Sequence, residues 1–143
     1  MKSGILAGAI AGAVADIAVI ASVYVMMLIF GNIGIIEAPG GWEIWRDPSI
    51  IMLLAVAHLS LDIFWGMIAG VAYAFLYSLI PGKGVVKGLY FGLSIWVIKD
   101  VAAGSYLALT MMEVSPAVIL IFGGFFMWVV YGPVLGYLYK PSK

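Results

Sequence analysis

The fold is decided by residues 4–16, GILAGAIAGAVAD, an apolar stretch with a glycine at every fourth position and an aspartate at its end. Residues four apart are offset by only about 40° around a helix of 3.6 residues per turn, so they share one face. Glycines at this spacing let two membrane helices approach closely. A carboxylate in hydrocarbon costs roughly 2.5 to 3.5 kcal/mol and therefore faces the protein interior. The stripe expected to face other helices consists of Gly4, Gly8, Gly12 and Asp16.

Two other apolar stretches carry the same pattern, and a fourth ends in a pair of glycines. The second stripe is His58, Asp62, Gly66 and Gly70; the third is Gly88, Gly92, Trp96 and Asp100; the closing pair is Gly132 and Gly136. We predict that these glycines are helix-packing surfaces. The alternative is that they let a substrate approach the backbone.

The composition excludes an ordinary soluble domain. Hydrophobic residues make up 65% of the 143-residue chain and charged residues 10%, whereas charged residues make up about a quarter of a soluble domain. The mean hydropathy is +1.17. Seven basic residues balance seven acidic ones, so bulk charge indicates no nucleic-acid partner. There is no cysteine, one histidine and no phosphate-loop or zinc signature. We therefore predict no cofactor, no metal site and no enzymatic activity.

Four apolar segments are long enough to cross a bilayer, which takes about 20 helical residues. They lie at about 5–30, 50–80, 85–111 and 116–139, with an outer loop at 31–48. Asp47-Pro48 and Ser115-Pro116 each place a capping side chain before a proline at the first helical position. We predict a single all-α domain over residues 1–143, an integral membrane four-helix bundle. The apolar run after Ala15 continues to Phe30, so the first segment is expected to be an uncleaved span rather than a signal peptide.

The basic residues predict the orientation of the chain in the membrane. One side would carry Lys2, Lys83, Lys87, Lys140 and Lys143, and the other only Arg46. Since cytoplasmic loops carry the excess of lysine and arginine, both termini should be cytoplasmic in a multi-pass protein of the cell membrane. In the outer loop, Trp42 and Trp45 are expected to be interfacial anchors. The alternative is that this loop covers an entrance.

An internal repeat is also visible in the glycine spacing. Sliding the first segment onto the third pairs Gly4 with Gly88, Gly8 with Gly92 and Asp16 with Asp100, and the second segment resembles the fourth. Two hairpins of the same orientation would form a parallel repeat. The alternative is that any two glycine-rich helices match at a period of four.

The charged residues near mid-membrane are the candidate functional site, an ion or proton path. They are Asp16, His58, Asp62, Lys99 and Asp100. His58 and Asp62 are one helical turn apart, so they can form either a proton relay or a static hydrogen bond. Lys99 is about 100° around an α-helix from Asp100, so we expect its partner to be Asp62 or Asp16 on another helix, either of the same chain or of a neighbouring subunit. The indoles of Trp65, Trp96 and Trp128 are expected to donate to carbonyls or aspartates, or to pack in the core.

The glycine motifs resemble those of small uncharacterised four-helix inner-membrane families of bacteria and archaea, including the YagU-like group. They are Gly84-x-x-x-Gly88-x-x-x-Gly92, Tyr131-Gly132-x-x-x-Gly136, and Ala57-His58-Leu59 ahead of Gly66 and Gly70. A further histidine is expected before the closing motif in such families, where this chain has Met127 and Trp128. The resemblance implies a fold and a membrane location and brings no activity with it.

Two functions are compatible with these patterns. The first is movement of a proton, cation or small solute through the polar site. The second is a non-catalytic accessory subunit, whose charges tie helices together within a larger membrane complex. The expected partners are the lipid bilayer and either further copies of the chain or other membrane subunits.

Overall fold

The computed structural model describes residues 2–30, 47–111 and 114–141. These residues form four helices and no strand, which confirms the predicted all-α fold. The helices are α1 (Lys2–Phe30), α2 (Pro48–Leu76), α3 (84–111) and α4 (Val114–Leu138). Trp42, Trp45 and nearly all of the loop predicted at 31–48 lie outside the described residues.

The ends of α2 follow from local chemistry. The Asp47 carboxylate accepts a hydrogen bond from the Ser49 amide at 2.8 Å, and Pro48 occupies the first turn. This is the capping arrangement expected from the sequence. At its other end α2 stops at Leu76, before the predicted position 80. The chain then turns through Gly82, whose φ of 90° is in the left-handed region that glycine adopts most readily.

Helix α3 is not a regular α-helix throughout. It is α-helical over Gly84–Trp96 and Ala102–Tyr106, and π-helical over Val97–Val101 and Leu107–Met111. A π turn closes hydrogen bonds five residues apart instead of four, so it is wider than an α turn. Lys99 and Asp100 lie in the first π segment.

Three helical stretches are long and apolar enough to cross a membrane, by length and composition alone. Within the described residues they are Ser3–Ala21, Pro48–Leu76 and Leu120–Leu138. The predicted third span corresponds to α3, which is helical over the expected residues but is divided by its π segments. The length and composition of these helices suggest a membrane location.

Glycines hold α1 against α2. A Cβ on Gly8 would overlap the carbonyl oxygen of Gly66 and lie 2.9 Å from the Cα of Gly70. A Cβ on Gly12 would likewise overlap the carbonyl oxygen of Asp62, one turn earlier on α2. Because the order of residues on α2 is reversed relative to α1, the two helices are antiparallel. Their backbones touch at distances that no side chain would permit.

Helices α3 and α4 repeat this contact in the same register. Gly88 meets Gly132 and Gly136 as Gly8 meets Gly66 and Gly70. The structural equivalent of Gly8 is therefore Gly88. The alignment predicted from the sequence paired Gly8 with Gly92 and is displaced by one helical turn.

The displacement changes which polar residues correspond in the two pairs. In the observed register Asp16 is equivalent to Trp96, and Asp62 to Trp128. The predicted pairing of Asp16 with Asp100 is wrong. Asp100 lies one helical turn further from Gly88 than Asp16 lies from the equivalent Gly8.

The two helix pairs have the same orientation, so that α2 runs parallel to α4, and they pack around an aromatic core. The Tyr131 hydroxyl on α4 donates to the Gly66 carbonyl on α2 at 2.7 Å. About two turns further along α2, and just after the end of α4, the Tyr73 and Tyr139 rings pack edge to face, with centroids 5.4 Å apart. This shared order makes α2 and α4 parallel. The buried apolar cluster comprises Ala7, Ala11, Ala15, Tyr73, Phe91, Trp128, Tyr131 and Leu135.

Candidate functional site

Asp16 is buried at the contact between α1 and α2. It lies one turn beyond Gly12, where a Cβ would meet the backbone of Asp62. Because the two helices are antiparallel, Asp16 lies next to the turn of α2 that carries His58. Only 1% of Asp16 is exposed, and its Oδ1 atom has no hydrogen-bond partner. Buried polar atoms in folded proteins almost always have a partner, so this oxygen is an exception that needs a reason.

The carboxylates of Asp16 and Asp62 and the imidazole of His58 come together in one cluster. One potential ligand atom from each residue lies within 4.8 Å of the other two. His58 and Asp62 are supplied by successive turns of α2, and Asp16 by α1. We call these three residues the α1–α2 cluster.

Exposure falls steadily across the α1–α2 cluster. His58 is exposed, Asp62 is half-buried and Asp16 is buried. The cluster therefore connects the outside of the helix pair to its interior through groups that exchange protons or bind cations.

The charges of the α1–α2 cluster favour a positive occupant. Two carboxylates with a neutral imidazole carry a formal charge of −2. Two such groups in contact within a medium of low dielectric repel each other unless a proton or a cation compensates them. Lys99 acts on Asp62 electrostatically, but no ion pair joins these two residues in the part of the chain that the structure describes.

Asp100 lies in a separate, fully paired site between α3 and α4. Its Oδ1 accepts a hydrogen bond from the Lys99 ammonium at 3.1 Å, and its Oδ2 accepts one from the Trp128 indole at 2.7 Å. Only 1% of Asp100 is exposed. A Cβ on Gly124 would overlap this carboxylate, so that glycine makes room for it.

The expectation that Lys99 pairs with an aspartate of another helix is wrong. Its ion pair is with the adjacent Asp100. The expectation assumed an α-helical angle of about 100° between neighbours, but Val97–Val101 is a π segment. A wider turn holds more residues, so the angle between neighbours is smaller. The long lysine side chain, 61% exposed, bends back to the carboxylate and places its ammonium 5.7 Å from the Trp128 ring centre.

The prediction for the deep indoles holds for two of the three tryptophans. Trp96 donates to the Ile121 carbonyl at 2.9 Å, and Trp128 donates to Asp100. Trp65 is 54% exposed and packs edge to face against Phe64.

Sequence reasoning missed the burial of Lys87. The orientation argument placed this lysine in a cytoplasmic loop, but it is 8% exposed. Its ammonium donates to the Tyr77 carbonyl and lies 4.1 Å from the centre of the Tyr77 ring. The available signal was its position in the first turn of α3, directly before Gly88.

No protein-family model, curated protein or solved structure matches the chain. The YagU-like resemblance accordingly remains a prediction, and function has to be argued from the geometry.

Proposed function

We propose that this protein crosses a membrane and passes protons or another small cation through the α1–α2 cluster. The observation that carries the proposal is the convergence of Asp16, His58 and Asp62, graded from exposed to buried. In hydrocarbon, ionisable groups of this kind mark ion pathways and proton relays.

The three side chains have distinct parts in this function. Exposed His58 exchanges a proton or admits a cation, since imidazole changes its charge near neutral pH. Half-buried Asp62 accepts the cation next, and Asp16 is the innermost group. Asp100 and Lys99 are proposed to stabilise the bundle, and Lys99 also supplies a positive charge that acts on Asp62.

In the proposed topology, both termini lie in the cytoplasm. Helix α3 is proposed to be a further membrane span. The start of α1 lies beside the end of α2, and the start of α3 beside the end of α4. These two ends carry Lys83 and Lys140 in the turn after α2 and the segment after α4. Basic residues at this end fit the charge rule for cytoplasmic loops.

Flux in proteoliposomes tests the function. The purified chain should carry protons inward when a potassium diffusion potential is applied, as measured with an entrapped pH-sensitive dye. Asp62→Asn removes the charge with almost no change of shape and should reduce the flux to that of empty liposomes. Asp47→Asn is the matched control, because asparagine caps a helix as well as aspartate does. Undiminished flux in Asp62→Asn would overturn the proposal.

An accessory subunit is the second candidate function. It is favoured by the Asp100 site, in which every charge is already paired within the chain. It is also favoured by α2, whose apolar stretch is only 6% buried. Assembly with further copies or other membrane subunits belongs to this proposal. Gentle solubilisation followed by mass analysis should then show a stably bound membrane protein, together with no flux by the isolated chain.

A further inference from the structure

We infer that Asp16, His58 and Asp62 bind a divalent transition-metal ion, although the sequence alone led us to predict no metal site. The inference uses the same cluster as the proposed function and names the cation that it takes. Binding at equilibrium does not require transport, so the two proposals can be tested separately.

The spacing of the three side chains is close to that of a metal site. Their ligand atoms lie within 4.8 Å of one another. Nitrogen and oxygen ligands lie about 2.0 to 2.2 Å from a zinc ion, which places neighbouring ligands of a tetrahedral site roughly 3.3 to 3.6 Å apart. Side-chain rotation covers the remaining ~1 to 2 Å. The helices need not move, because the backbones of Gly12 and Asp62 are already in contact.

Charge balance selects a divalent ion. Asp16 and Asp62 together contribute −2 and a neutral His58 contributes nothing. A divalent cation therefore gives a neutral site, whereas a monovalent cation leaves a net charge of −1. In a medium of low dielectric, a neutral group of ligands and ion avoids the large cost of an uncompensated charge.

The donor atoms select the class of metal. One imidazole nitrogen and two carboxylate oxygens, without sulfur, suit zinc, manganese, iron, cobalt or nickel in the divalent state. Magnesium and calcium prefer sites built from oxygen alone. Three protein ligands leave a coordination position open for water or an arriving ligand. Of the three ligands, His58 is the most exposed.

The unpartnered oxygen of Asp16 is the independent observation for this site. Asp16 and Asp100 are equally buried, each with 1% of its surface exposed. Both oxygens of Asp100 accept hydrogen bonds from within the chain, whereas Oδ1 of Asp16 accepts none. A buried carboxylate oxygen left without a donor is explained when a cation is its partner.

Metal titration of the purified chain tests the inference. The protein is prepared without a polyhistidine tag, so that His58 is the only histidine. Zn²⁺ binding is measured by calorimetry, and Co²⁺ binding by its visible absorption bands. We expect one ion of either metal per chain, with Mg²⁺ bound far more weakly.

Variants then locate the ion. Loss of a group that supports a ligand typically weakens metal binding 10- to 100-fold, so Asp16→Asn and His58→Gln should weaken it by at least about 100-fold. Asp47→Asn should leave the affinity unchanged, because Asp47 is exposed at the start of α2, about three turns before His58.

The outcomes separate the two proposals. Absence of Zn²⁺ and Co²⁺ binding, or equal affinity in Asp16→Asn, overturns the metal site, and flux that persists in that case leaves a proton path. Binding that depends on Asp16 and His58, without flux of either protons or Zn²⁺ into the liposomes, supports the metal site and overturns the transport function.

Discussion

Replacing Gly8 with alanine adds one methyl group at the contact between α1 and α2. Its Cβ would overlap the Gly66 carbonyl oxygen and lie 2.9 Å from the Gly70 Cα. Carbon atoms in ordinary contact are about 3.5 to 4.0 Å apart, so the helices must separate by more than ~0.6 Å. Both obstacles are backbone atoms and cannot rotate away. The methyl group is therefore accommodated only by moving one helix.

The cost of that movement can be isolated with a second glycine. Over-packing of this kind lowers the free energy of unfolding by about 1 to 3 kcal/mol, while alanine returns up to ~1 kcal/mol through its higher helix propensity. A Cβ on Gly123 in α4 would have nothing within 4 Å. Gly123→Ala should show the propensity gain alone. The two variants should therefore differ by the over-packing cost, about 1 to 3 kcal/mol.

Unfolding in mixed micelles measures this difference. The fraction of sodium dodecyl sulfate in a mild detergent is raised while far-ultraviolet circular dichroism or tryptophan fluorescence follows the loss of structure. Gly8→Ala should unfold at a lower fraction than the natural protein, and Gly123→Ala at an equal or higher one. If both variants unfold together, the helices do not meet at Gly8 as described, and the packing argument is refuted.

Three further predictions use the same assay. Gly88→Ala, whose Cβ would overlap the Gly132 carbonyl oxygen, should cost as much as the α1 variant because the two positions are equivalent; a clearly smaller loss would contradict the common register. Tyr131→Phe removes the hydrogen bond to Gly66 and should lower the free energy of unfolding by about 0.5 to 1.5 kcal/mol. Tyr73→Phe removes a buried hydroxyl that has no hydrogen-bond partner, so it should leave the free energy of unfolding unchanged or raise it. Equal losses of stability in the two tyrosine variants would contradict the assignment of a hydrogen bond to Tyr131 alone.

The helices were predictable because they depend on local sequence. Length, hydropathy and the cap at Asp47 located them to within a few residues. The glycine spacing also indicated which faces meet. The register between helices was harder, because it is set by backbone contacts at Gly8 and Gly88. The predicted alignment of the first segment with the third, which paired Gly8 with Gly92, was displaced by one turn from the equivalence that these contacts show.

The candidate site was predictable only in part. Asp16, His58 and Asp62 were expected to come together because each lies on a glycine-bearing face, and the structure places them in one cluster. Asp100 was expected there too. Nothing local in the sequence of α3 marks the change from α-helix to π-helix at Val97–Val101. That change pairs Asp100 with Lys99, so the sequence could not separate the two sites.

The glycine contacts also determine which parts of the molecule can move. Where the backbones of paired helices touch, there is no space between them for an acyl chain or a water molecule. Each hairpin should therefore move as a rigid body. Any sliding or rocking must then take place between the hairpins, where α1 packs against α4 and the Tyr131 hydroxyl donates to Gly66. Because each hairpin is stiff, any gating motion is confined to the interface between the two hairpins.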